Sequence, residues 1–148
     1  MLPLLRERLK GGDCMLNGFT KVPILQGNSF VSITNNGINF NGNVVFHMQK
    51  TKYVIFLLNA NEQQIAIQEC GDDEEDKISF FRDGTNWKNG VRINNRELQQ
   101  IIARMMSWDL DKYNYRADGV YSGNDHAMIF DLKNARTFNK RRKRQSND

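Results

Sequence analysis

Several things that most enzymes and membrane proteins rely on are scarce in this chain. It has two cysteines, Cys14 and Cys70, and neither belongs to a CxxC pair. With no secretory pattern in the chain, that favours reduced thiols in a cytoplasmic protein. The only histidines are His47 and His126, far apart in sequence. No HExxH, GxSxG, phosphate-binding loop or dinucleotide fingerprint occurs, so no cofactor is implied and a non-enzymatic role is expected. An imidazole within the apolar stretch Val44-Val45-Phe46-His47-Met48 is expected to be partly buried. The longest apolar run covers residues 53–58. It is far short of the roughly 20 residues a membrane helix needs, so no membrane association is expected.

What is present is charge, unevenly placed. The 148 residues carry 21 basic and 17 acidic side chains. Lys140-Arg141-Arg142-Lys143-Arg144, offset only by Asp148, accounts for the whole +4 excess, and residues 1–139 are electrically neutral. A basic run of this kind is suited to phosphates, and equally to a solvated end. Asp72-Asp73-Glu74-Glu75-Asp76 is its acidic counterpart. Five adjacent carboxylates repel one another and belong in water; they lack the alternate spacing of a calcium loop, and no metal site is expected. Lys10-Gly11-Gly12-Asp13-Cys14-Met15 back-translates to a bacterial ribosome-binding site ahead of an ATG. Residues 1–14 are therefore expected to be an upstream extension, with translation starting at Met15. The 18 asparagines fit the same AT-rich bacterial or mobile-element source.

Alternation and turn signals predict a β-rich chain. Phe30 to Thr34 alternates, Asn35-Asn36-Gly37 is a hairpin turn, and residues 37–41 form a second strand. Residues 44–48 read as a short helix; 52–58 and 64–68 read as a strand pair, and 78–81 as a further strand. In the second half, 90–94 reads as a strand and 96–106 as a helix capped by Asn94 or Asn95. Leu98, Ile101, Ile102 and Met105 give that helix one apolar face. Residues 113–121 and 127–132 are the last two strands expected, with Trp108 buried at the helix end.

Gly37-Ile38-Asn39-Phe40-Asn41 parallels Gly90-Val91-Arg92-Ile93-Asn94, 53 residues later. Each is followed by a helical segment, a strand, a turn and a strand. The expected fold is thus α+β and β-rich, with two strand-helix-strand-turn-strand repeats forming a pseudo-twofold small barrel or swapped-hairpin sheet. The organisation reads as a lead-in at 15–29, a first repeat at 30–70, an acidic linker and short strand at 71–88, a second repeat at 89–138, and a basic tail at 139–148. A unit of some 45 residues buries too little surface alone, so the two are expected to share a core.

That element order resembles the AbrB-like swapped-hairpin fold, in the tandem two-repeat form found in MraZ-like chains. The family places a proline after the short strand, where this chain has Asn41 and Asn94-Asn95. The resemblance implies a regulator that binds double-stranded DNA. Lys50, Lys52, Arg92, Arg96 and Arg104 are the candidate contacts, joined by Lys140, Arg141, Arg142, Lys143 and Arg144. A neutral body supports a different reading, a protein-interaction module that also forms homo-oligomers, with Trp87, Trp108, Tyr113, Tyr115 and Tyr121 as its contact surface.

Overall fold

The structure, a computed structural model, describes residues 17–19 and 27–138. The expected upstream extension at 1–14 and the basic tail at 139–148 lie outside the described residues. The chain is α+β and β-rich. In order it forms β1 (Phe30–Thr34), β2 (Gly37–Phe40), α1 (Gly42–His47), β3 (Tyr53–Asn59), β4 (Gln64–Glu69) and β5 (Ile78–Ser79). A 3₁₀ turn (Trp87–Asn89), β6 (Val91–Ile93), α2 (Arg96–Met106), β7 (Asn114–Ser122) and β8 (Ala127–Asp131) follow. A second 3₁₀ turn (Leu132–Asn134) leads into β9 (Arg136–Phe138).

The local signals that produce these elements are plain. Asn36-Gly37 closes the β1–β2 hairpin, with Thr34 opposite Gly37. Both helices start on an asparagine. The Asn41 side chain accepts from the Val44 amide and that of Asn95 from the Leu98 amide. Each thereby satisfies a donor that the first helical turn leaves unpaired. Each helix thus starts on a side-chain cap from its own asparagine. In α2, Ile102 is fully buried and Leu98, Ile101 and Met105 are half-buried, as the spacing predicts.

All strand pairings are antiparallel, and the strand order is β5-β3-β4-β8-β7-β1-β2-β6 with β9 beside β7. β7 is long enough to serve two neighbours on one edge. Gly119 lies opposite Phe130 of β8, whereas Arg116 lies opposite Arg136 of β9. Three residues along β7 thus answer to six on the other strand, and the intervening 3₁₀ turn absorbs the difference. The sheet curls into a half-barrel. Phe40 of β2 meets both Phe130 of β8 and Phe80, just past β5, each at 5.6 Å between ring centres. Strands remote in the order therefore share one core, which Val31, Ile33, Ile38, Val44, Ile65, Ile67, Ile102 and Met128 complete.

Some expectations need correction. The strand at 78–81 is regular only to Ser79; beyond it Phe80 and Phe81 donate to the Lys52 and Thr51 carbonyls ahead of β3. The final strand stops at Asp131, whose side chain caps the 3₁₀ turn, and β9 follows. β9 is short and polar and gives no alternating signal. His47 is exposed, because Val44, Val45 and Met48 take the core face of α1. Trp108 is half-buried and stacks flat on Tyr115 at 4.0 Å. Tyr115 is itself a core residue and Tyr113 is exposed, so the aromatic side chains do not form one contact surface. The acidic run at 72–76 is a largely exposed loop.

Candidate nucleic-acid interface

Alternation assigns the two faces of β7. Tyr115 and Ala117 point into the core, which leaves Asn114, Arg116 and Asp118 on the outside. Strand register then lines residues up across the outer face. Arg136 lies opposite Arg116, Arg116 opposite Ser32, Ser32 opposite Asn39, and Asn39 opposite Arg92. Directly opposed residues share a face, so five strands carry one row holding three arginines, in which Ser32 is buried and Arg116 half-buried. Four strand spacings of about 4.8 Å make it roughly 19 Å long.

Each arginine is held differently. Arg92 donates from Nε to the Asn39 side-chain oxygen at 2.7 Å. Arg136 forms an exposed ion pair with Asp118 at 3.5 Å, which also accepts from Asn28. An exposed pair of this kind contributes little. Arg116 is the unusual one. Its guanidinium lies 4.1 Å from the centre of the Phe30 ring and 4.8 Å from that of Phe138. The two rings belong to the flanking strands, diagonal to Arg116, where a long side chain reaches them. Its Nε is buried with no hydrogen-bond partner. Among the described residues no carboxylate pairs with Arg116 or Arg92. The ring sandwich holds the planar cation by cation–π attraction and removes rotamer freedom that a ligand would otherwise have to restrict.

The expected contacts do not converge. Arg92 alone joins this row. Lys50 and Lys88 both lie over Trp87, at 6.0 and 5.9 Å, beside α1. Lys52 pairs with Asp83 at 3.5 Å. Arg96 lines a cavity of about 330 Å³ at the β1–β2 turn, with Gln99 and Asp111. Gln99 there is buried and donates to the Thr34 and Asn35 carbonyls, tying α2 to the hairpin. Arg104 is exposed on the last turn of α2. Lys140, Arg141, Arg142, Lys143 and Arg144 lie outside the described residues, but Lys140 is two residues beyond Phe138, which packs on Arg116. Arg116 and Arg136 were missed by sequence reasoning. The alternation in β7 carries the signal for Arg116, but its significance depends on which strands lie beside β7.

The opposite side of the sheet is apolar on its outer face. Leu57 lies opposite Ala66, Ala66 opposite Ile129, and Ile129 opposite Val120, which is 73% exposed. Cys70 is a free, half-buried thiol. Burial and the nearby Glu74 carboxylate push its pKa up, the direction opposite to an activated nucleophile. No described helix is long and apolar enough to cross a membrane. Comparison with known protein families, curated proteins and solved structures yields no match to this chain.

Proposed function

We propose that this chain is a non-enzymatic DNA-binding protein of the transcription-regulator kind, bacterial or from a mobile element, that engages duplex phosphates through the outer face of β9-β7-β1-β2-β6. The observation that carries the reading is Arg116, a cation fixed between two phenylalanines with no carboxylate partner, at the middle of an arginine row. A row of about 19 Å matches a little over half a turn of B-DNA. In sequence, the run Lys140 to Arg144 follows β9 closely and carries five positive charges.

The tandem-repeat architecture belongs to the same proposal. Asn39 and Arg92 are 53 residues apart, the repeat offset, and they sit directly opposite each other. A twofold relating β2 to β6 would pass between them. β5 against β3 is the counterpart of β1 against β7 in this scheme, and the β4–β8 pair joins the two units.

The test is fluorescence anisotropy of labelled duplexes over a salt series, with the full chain, an R116A variant and a chain ending at Asn139. Counterion release gives a slope of about −0.9 per phosphate contacted. The full chain is expected to prefer one sequence over random DNA. R116A is expected to lower the slope by about 0.9 and weaken all duplexes alike. Binding that disappears with the tail and ignores both sequence and Arg116 would overturn the reading. A second reading, a protein-interaction module, rests on the apolar row from Leu57 to Val120, because contiguous exposed apolar surface marks contact sites. Failure to bind any duplex would favour it.

A further inference from the structure

β5 and β6 stand at opposite ends of the strand order and do not pair with each other, although the curled sheet brings the β5 end against β2. Between them opens a cavity of about 440 Å³. Its polar lining is Ser79, Arg82, Thr85, Asn86, Asn89 and Arg92, and no carboxylate lines it. Two arginines therefore enter one cavity from separate segments. Asp83, the nearest acid in sequence, is not among the lining residues and forms an exposed ion pair with Lys52. Arg92 uses its Nε on Asn39, and its terminal amino groups have no carboxylate partner among the described residues. Gly90 fixes this edge tightly: its φ is +75°, and a Cβ there would lie 2.2 Å from the Phe40 carbonyl oxygen. The cavity wall is thus pinned to β2 rather than free to collapse.

We infer that this seam is an anion site that takes a phosphodiester group, with Arg82 and Arg92 as the charged donors and Ser79, Thr85 and the asparagines as neutral ones. Arg92 belongs both to the seam and to the outer-face row, so a nucleic-acid backbone leaving the row enters the seam next. In that form the inference rests on the DNA-binding reading and names a further phosphate contact of the same interface. Arg82 is exposed and in no strand or helix, so its removal leaves the fold intact.

The experiment is the full chain and its R82A variant, titrated with duplex over a salt series and, separately, with inorganic phosphate followed by amide NMR shifts. Loss of one phosphate contact lowers the salt slope by about 0.9, which is about fifteenfold weaker binding at 50 mM salt and about fivefold at 150 mM. That result, with saturable phosphate shifts at Ser79, Asn89 and Arg92 that R82A abolishes, is expected. Duplex binding with an unchanged R82A slope would overturn the seam site and leave the DNA reading standing. No duplex binding, but phosphate shifts lost in R82A, would keep the seam as an anion site and overturn the DNA reading. No response to either probe would overturn both.

Discussion

Gly119 offers a sharp test of how the core is packed. It lies on the inner side of β7, opposite Phe130. A Cβ at this position would sit 2.6 and 2.8 Å from two ring carbons of Phe130 and 3.1 Å from the Met128 sulfur. Ordinary carbon contacts are about 3.5–4.0 Å, so the ring would have to retreat by about 1 Å. It has nowhere to go, because Phe130 is fully buried and its ring abuts Phe40, which abuts Phe80 in turn. Overpacking of this kind costs about 1–3 kcal/mol. Against it stands the reduced entropy of the unfolded chain, which favours alanine by about 0.4–1 kcal/mol where the backbone conformation suits it. The φ of Gly119 is not left-handed, so that gain applies in full. The clash outweighs the entropy gain, and G119A is expected to be less stable by about 1–2 kcal/mol. F130L removes the ring atoms at issue and is itself destabilising. The double variant is therefore expected to lose less than the sum of the two, with a coupling of about 1–2 kcal/mol. Urea unfolding followed by circular dichroism, with m-values compared across the four proteins, measures both single losses and the coupling. A neutral or stabilised G119A, or single effects that add within about 0.5 kcal/mol, would refute the packing argument.

Other outcomes follow from single groups. Q99L removes the buried amide that serves the Thr34 and Asn35 carbonyls, and should cost about 1–3 kcal/mol in urea unfolding. Q99E places a carboxyl against the same two oxygens; its loss relative to the natural chain should be greater at pH 7 than at pH 5, because the protonated form alone can donate. In a C14S background, alkylation of Cys70 by iodoacetamide should be slower than that of free cysteine at neutral pH and should still be rising above the ordinary thiol pKa of about 8.5. E74Q should bring that profile to lower pH, since the Glu74 charge is the second cause of the raised pKa. An E74Q profile identical to that of the parent would show that Glu74 has no part in raising it.

Much of the local structure was legible in the residues. Alternation marked β1 and β4, and Asn-Gly marked the first hairpin. The bounds of α2 followed from Asn94-Asn95 ahead of the periodic run Leu98, Ile101, Ile102, Met105, and the structure makes Asn95 the cap. These are short-range preferences: a cap, a turn conformation and a hydrophobic period act within a few residues of their source. The misses fall where the signal is weak or distant. β9 is three residues long with two of them exposed, and it exists because β7 offers an edge. Gln99 reads as a polar helix residue and is buried because its amide meets two carbonyls from another element.

The sequence by itself determined both helices and most of the strand segments, the neutral body and the concentration of positive charge at 140–144. The tertiary structure alone decided which strands became neighbours. β1 pairs with β7 and β2 with β6, more than fifty residues apart, and that pairing places Arg136, Arg116 and Arg92 in one row. It also brings Phe30 and Phe138 to either side of Arg116. No local pattern encodes such a row. Register between distant strands is set by the fit of whole inner faces in a common core, and the outward residues are carried into line as a consequence.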